Sequence, residues 1–476
     1  MAATRVTFTE WLPDQPGVVG ALTNAKNVFP KAVGYGPFPN SADYSGAASQ
    51  DLNNVVAAVD SAGTTKVFAS GSTLLFLLDA TDLSLDDVSA TTYTAVTDRW
   101  RFTQFGDYLI AAGSPNTMQY YDMTTTANFA NLSSDAPKAS FVTVVRDFVV
   151  AGRTPSNTNR VQWSGINDAT TWASSAVTQS DFQDLPDGGA VAGLTGGEFG
   201  LVLCERSIYR MSYVGAPLVF QFDNIARNRG CYEPNSVIQW QGVTYFLSDD
   251  GFYACDGQNV VPIGAEKVNR FFFGDLSESI MTQMSAAVDP NRNLIMWGYP
   301  SLEQNYRVLM YHPQTQRWSY ADTTVDRIAS SSTPAVNQEG LDAYSASLDA
   351  LPFSLDSRIW LGGKLTLAGV SGAKIINFSG SNKTGVIETS DIGEGQTMMI
   401  TLAKPIVDNG SASVGIASRM LLSAQPSFGS QTAADSENRV GLRSVGKYHR
   451  LRVQPTGDNW TTAIGVDLEM QPAGGR

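Results

Sequence analysis

Charge is scarce in this chain. Only 16% of its residues are Asp, Glu, Lys or Arg, and few stretches sustain a 3.6-residue hydrophobic period before a Pro, Gly or Thr run breaks them. Helices favour Glu, Lys, Ala and Leu, so a mainly helical fold is not expected. Histidine is scarcer still. His312 and His449 are the only two, and neither lies in an HExxH or Cys-x-x-Cys…His pattern, which leaves zinc catalysis without a ligand set. The three cysteines, Cys204, Cys231 and Cys255, are an odd number with no close pair. A disulfide framework is therefore not expected, and a reducing compartment for folding is. The apolar runs, such as residues 74–78, are of strand length, so neither a signal peptide in MAATRVTFTEWLPDQPG nor a membrane-spanning helix is expected. Basic residues are outnumbered, 32 Lys and Arg against 45 Asp and Glu, for a net charge of −13. Such a surface repels nucleic acid and anionic membrane at long range. Tight general DNA binding, which rests on cations neutralising phosphates, is not expected.

What the chain does have is enough apolar residue, 43%, to build buried cores, and an abundance of Gly, Ser, Thr and Asn that suits short strands and tight turns. Its 476 residues exceed the usual size of one core, which implies two domains or one large repeat-built domain. A repeat is legible. TTKVFASGSTLLFLLDAT, GDYLIAAGSPNTMQYYDMT, RDFVVAGRTPSNTNRVQWSGINDAT, GEFGLVLCERSIYRMSYVG, QGVTYFLSDDGFYACDG and RNLIMWGYPSLEQNYRVLMYHPQT share one plan. Each has a polar turn, an apolar strand, a short break and a second strand, which is the pattern of a β-hairpin. A marker closes the second strand at Asp79-Ala80-Thr81, Asp122-Met123-Thr124 and Asp168-Ala169-Thr170, with weaker versions at Asp223, Asp256 and His312. The intervals are 43, 46, 55, 33 and 56 residues, and their mean falls in the roughly 40–50-residue period of propeller blades. A carboxylate after a strand caps the turn, so the marker needs no further chemistry.

These features predict an all-β fold: a β-propeller of about six to seven blades over residues 51–350, an extended Pro-rich N-terminal arm over 1–50, and a C-terminal β unit over 351–476. The last is either sandwich-like or made of strands that rejoin the propeller. A seventh blade would come from 325–350 or from the N-terminal segment closing the ring. One short helix is expected within 264–276. The arm either contacts a neighbouring subunit or covers its own domain.

Propellers host glycosidases, whose paired carboxylates stand roughly 5–9.5 Å apart. Asp249, Asp250 and Asp256 could form such a set, as could Asp79, Asp82, Asp86 and Asp87. However, Asp250-Gly251 and Asp256-Gly257 read as turn dipeptides, the former as a two-residue type I′ turn. The spacing of SDDG also lacks the ligand pattern of a calcium loop. His312 takes the place of the marker Asp, and His449 alternates along a strand, so both read as structural. The glycine-rich LTGGEFG at 194–200 runs into a strand and offers no helix N-terminus to phosphate. No catalytic, cofactor-binding or metal-binding residue and no cofactor is expected. One candidate docking patch remains: Arg439, Arg443, Lys447, Arg450 and Arg452 fall in a stretch without an acid. It would take an acidic partner or a nucleic-acid backbone; otherwise it is a solvated face paired with acids from elsewhere.

Four further stretches carry a resemblance: FTEWLPDQPGV with NAKNVFPKAVGYGPFP, CERSIYRMSYVGAPLVFQF, YFLSDDGFYACDGQNVVPIGAEKVNRFFF and GKYHRLRVQP. Together they resemble the tail nozzle proteins of short-tailed bacteriophages, also called tail tube or packaged-DNA-stabilising proteins. The resemblance implies a non-enzymatic virion protein that folds in the bacterial cytoplasm and assembles into a homohexameric ring below the portal and its adaptor. It further implies contacts with fibre or needle proteins, and a channel that retains packaged double-stranded DNA and passes it on during ejection without specific binding. An acidic chain suits such a lumen, since like charge avoids phosphate-binding stops. The alternatives are a receptor- or glycan-binding, possibly glycan-cleaving, tail propeller, motivated by the turn aspartates and nine tryptophans, and a host scaffold propeller.

Overall fold

The alternation of short apolar runs and Asp- or Gly-bearing breaks produces antiparallel meanders. The computed structural model describes residues 3–125, 128–336, 341, 347, 349, 360, 362–393 and 395–473. Among these residues, seven four-stranded antiparallel arrays follow one another. The first contains Leu52–Val59, Thr65–Gly71, Leu75–Leu78 and Leu85–Asp87. The second contains Arg101–Phe105, Tyr108–Ala112, Gln119–Asp122 and Ala130–Asn131. Phe141–Val145, Phe148–Gly152, Arg160–Trp163 and Asp181–Asp184 make the third. The fourth is Val191–Thr195, Gly200–Cys204, Ser207–Gly215 and Val219–Arg227. The fifth is Ile238–Trp240, Val243–Ser248, Gly251–Cys255 and Val260–Pro262, and the sixth Ser285–Asp289, Leu294–Pro300, Tyr306–His312 and Arg317–Thr323.

Middle strands such as Phe148–Gly152, Leu294–Pro300 and Tyr306–His312 are buried along their whole length. Each sheet is covered on both faces by its neighbours, which is why these strands read as continuous apolar runs and not as alternation. First strands of successive sheets pack side by side from the fifth sheet round through the seventh and first to the fourth. The fourth and fifth meet through the Thr195 and Thr244 hydroxyls, 2.9 Å apart, and through Leu201, Leu203 and Phe246. The result is a propeller-like all-β body.

The seventh array joins distant parts of the chain. Arg327–Ser332, Leu365–Ser371 and Lys374–Asn377 are completed by Ala42–Asp43 from the N-terminal segment. Backbone bonds from Tyr44 and Ser45 to the Ile375 carbonyl and a 2.6 Å Lys374–Asp43 ion pair hold it there. Both expected sources of a seventh sheet therefore contribute, and the strands over 365–377 join the propeller-like body, one of the two arrangements expected of the C-terminal stretch. The segment 1–50 lies against its own chain. Its strands Ala3–Thr7, Leu22–Lys26, Val28–Pro30 and Tyr35–Pro37 all pair within the chain.

Two further layers form the second unit. Leu22–Lys26 lies parallel to the last strand of the sixth sheet and antiparallel to Val386–Thr389, and the sheet continues through Tyr448–Thr456, Ser411–Arg419 and Thr432–Ala433. The other layer runs from Val28–Pro30 and Tyr35–Pro37 through Ala463–Pro472 and Met398–Val407 to Val440–Gly446 at its edge. One apolar cluster links this unit to the fifth and sixth sheets, with Trp11, Phe252, Trp297, Trp318, Val453 and Trp460 all fully buried in it. The short helix Asn269–Asp275, expected within 264–276, packs Phe272 edge-on to Phe252 at 4.8 Å in the same cluster.

Candidate functional site

Four of the seven carboxylates that could have formed an acid pair, Asp79, Asp82, Asp87 and Asp256, cap turns. Asp79 accepts the Thr81 N–H at 2.6 Å, and Asp122 accepts both the N–H (2.9 Å) and hydroxyl (2.7 Å) of Thr124. Asp168 accepts the Thr170 N–H (2.8 Å) and the hydroxyls of Thr170 and Thr171 (each 2.6 Å). Asp256 accepts the N–H groups of Gln258 and Asn259 at 2.8 and 2.7 Å, which hold its carboxyl below the usual carboxylate range. Asp82 and Asp87 each accept an N–H two residues on. The Asp223 marker is different: it lies within Val219–Arg227, paired opposite Arg210, and caps nothing.

The type I′ turn expected at Asp250-Gly251 is displaced. Ser248 pairs with Gly251, so Asp249 and Asp250 are the turn residues. Gly251 opens the next strand at φ 141°, where a Cβ would come within 1.8 Å of the Asn269 amide nitrogen. That amide donates to the Asp250 carbonyl at 3.0 Å. Asp250 itself is paired to Arg229 at 3.1 Å and accepts from the Tyr253 hydroxyl at 2.8 Å.

Both histidines have structural partners. His312 Nδ1 accepts the Thr315 N–H at 3.3 Å, the role an Asp plays in other sheets. His449 is fully buried with Nδ1 2.6 Å from Ser418 Oγ, and burial lowers its pKa. All three cysteines are free and buried, and burial pushes Cys204 up to about 11 and Cys231 to about 12. They are poor nucleophiles in the folded state.

The five-residue basic patch divides. Arg439 pairs with Asp435 (3.2 Å) and Glu437 (2.6 Å), Arg450 with Asp391 (3.1 Å), and Arg452 with Glu388 (2.7 Å) while lying over the Phe428 ring. Arg443 and Lys447 are exposed and have no carboxylate partner among the described residues. Among the described residues, two of the five cations are thus without an acid partner at this strand edge.

A second charged cluster was not read from the sequence. In an antiparallel meander, the start of the first strand and the end of the second lie at the same end of the sheet. Segments leading into first strands therefore gather at one end of the propeller-like body. There a cavity of about 480 Å³ is lined by Asp98, Arg101, Phe141, Arg153, Glu233 and Asn235, among others. Arg101 donates to Asp98 (2.9 Å), Asn235 (2.8 Å) and the Ser140 carbonyl (3.3 Å), with its plane over Phe141. The Asn235 amide donates to Asp98 at 3.2 Å and to the Thr282 carbonyl at 3.1 Å, and Arg99 donates to the Met284 carbonyl at 2.6 Å. Burial raises the Glu233 carboxyl despite the Asn235 N–H it accepts at 3.0 Å. Burial acts the same way on Asp98, but Arg101 and Arg99 outweigh it and hold that carboxyl low. The cluster is a brace between the second, fifth and sixth sheets. Its signal in the sequence was DRWR at 98–101, three charges in four residues of a charge-poor chain.

No protein-family model and no curated protein matches the chain. Among solved structures it is similar to a chain in the crystal structure of a mitotic checkpoint complex, at 11% identity and TM-score 0.42, over 71% of this chain and 95% of that one. It is also similar to the computationally designed Ika8 protein, at 9% identity and TM-score 0.38, over 72% and 99%. The description of the fold rests on the strand pairing and not on these likenesses.

Proposed function

We propose that the chain is a structural protein of a virion, the tail nozzle of a short-tailed bacteriophage. In this reading the seven arrays are the blades of a closed propeller. Copies of the chain, six in the family it resembles, surround a channel that retains packaged DNA and conducts it during ejection. The portal adaptor and fibre or needle proteins are the partners the reading implies. The observation that carries it is the employment of the groups with catalytic potential: Asp79, Asp122, Asp168, Asp256 and His312 cap turns, Asp250 is ion-paired, and His449 is buried against Ser418. These side chains build architecture.

The glycan-binding reading drew on the tryptophans, but eight of the nine are buried. The ninth, Trp240, is half-buried with its indole N–H on Asn293 at 2.7 Å. Negative-stain electron microscopy of the purified full chain, together with protein identification in purified particles, tests the nozzle reading. Rings and a virion-borne chain are expected. A chain that stays monomeric at every concentration and is absent from particles would overturn it.

A further inference from the structure

We infer that the outward face of the edge strand Val440–Gly446, with the adjoining turn at 420–422, is the surface by which one copy docks on the next. Its acceptor is the acidic outer edge of the first sheet of the neighbouring copy. This rests on the ring-forming reading above and deepens it.

Val440–Gly446 closes its layer, paired only with Met398–Val407 among the described residues, so its other backbone edge is open. Alternation sorts its side chains: Val440 and Leu442 point into the core while Arg443 and Val445 point out. Lys447 continues the outward row, and its N–H bonds to the Arg419 carbonyl at 3.0 Å, which fixes the following turn against the strand end. That turn exposes three consecutive large apolar side chains, Met420 (51%), Leu421 (67%) and Leu422 (58%), and Val445 on the strand is exposed as well (46%). Isolated exposed apolar residues are ordinary; a contiguous group rimmed by charge marks an interaction surface. The nearby cations Arg419, Arg439, Arg450 and Arg452 are all matched to acids within the chain, whereas Arg443 and Lys447 have no acid partner among the described residues.

The chain carries the complement elsewhere. Leu85–Asp87 is the outermost strand of the first sheet, and it too has an open edge. Asp82, Asp86 and Asp87 are exposed there, and with Asp79 they have no ion-pair partner among the described residues. From residue 67 to 98 the sequence contains no Lys or Arg. A basic, apolar face and an acidic face at separate places on one chain make a heterologous contact, the kind that propagates from copy to copy and forms a ring when its rotation closes.

The test is a charge exchange in the full chain, read by mass photometry at fixed ionic strength, with circular dichroism melts as the folding control. Arg443→Glu with Lys447→Glu is expected to weaken assembly tenfold or more, and so is Asp86→Lys with Asp87→Lys. All four substitutions in one chain are expected to restore it. Leu421→Ser with Leu422→Ser is a second route to the same loss should a charge variant not fold. Wild-type rings that survive both reversals would overturn this surface and leave the ring reading standing. Single reversals that dissociate the ring without rescue in the fourfold variant would overturn the acidic edge as acceptor. A wild-type chain that never assembles would overturn both readings.

Discussion

The aspartates that cap strand ends each satisfy one to three hydrogen-bond donors that the turn would otherwise leave to solvent. Asp168 is the best supplied, with one N–H and two hydroxyls that hold its carboxyl below its ordinary value. Asp168→Ala is expected to cost about 1–2 kcal/mol in urea unfolding. Because the folded-state pKa is depressed, the wild-type carboxylate's contribution is present above the unfolded value and lost as pH falls through the folded one. The difference between wild type and variant should therefore shrink in acid. Glu233 behaves in the opposite sense. Its carboxyl is raised by burial, so the folded state holds its proton to higher pH than the unfolded state, and stability falls as pH rises from 4.5 through the raised value. Glu233→Gln retains an acceptor for Asn235 and should flatten that descent, with a melting midpoint at pH 7 no lower than wild type.

At the scale of elements, a hairpin is specified by a few neighbouring residues, and this is why six of the seven arrays were legible. Gln241-Gly242 shows the local code at its plainest: both residues have positive φ, 51° and 79°, in the two-residue turn between Trp240 and Val243. The next turn shows its limit. Asp-Gly read as the same turn, yet register placed Gly251 in the strand, because Asn269 from the following helix occupies the space a side chain would need. Gly251→Ala is accordingly expected to destabilise by more than about 1 kcal/mol by strain at its positive φ, and pairing it with Asn269→Ala should return part of the loss. The seventh array was half legible. No local pattern tells Ala42–Asp43 to pair with Lys374–Asn377, since that pairing is decided by the last open sheet edge and not by sequence neighbours. Deleting residues 1–45 should abolish cooperative unfolding in circular dichroism, because it removes this strand together with the buried Trp11. The brace between the second, fifth and sixth sheets escaped sequence reading for the same reason: the Asp98–Arg101 pair is far in the chain from the Glu233–Asn235 pair, and the two meet only when the first strands converge.

For the whole molecule, the shared apolar cluster outweighs the division into a body and a second unit. Trp297 and Trp318 stack at 5.8 Å in the sixth sheet, and Trp11 of the second unit contacts Phe271 and Tyr320 at 4.9 and 5.1 Å. A core continuous across both parts should unfold as one. Differential scanning calorimetry is expected to give a single endotherm, and two resolved transitions would show that the units are thermodynamically separate. From its length the sequence suggested two domains or one repeat-built domain, with a separate C-terminal β unit. The apolar cluster is continuous across both parts.

The Lys374–Asp43 contact joins residues 331 positions apart, and this sets a timetable for synthesis. At roughly 5–20 residues synthesised per second, the N-terminal strand waits tens of seconds for its partner while six sheets are already complete. The free edge of the nascent body stays open throughout that interval. Val440–Gly446 and the turn at 420–422 emerge later still, after the residues of all seven arrays have been made. In the proposed assembly, translation order would then separate folding within one chain from association between chains.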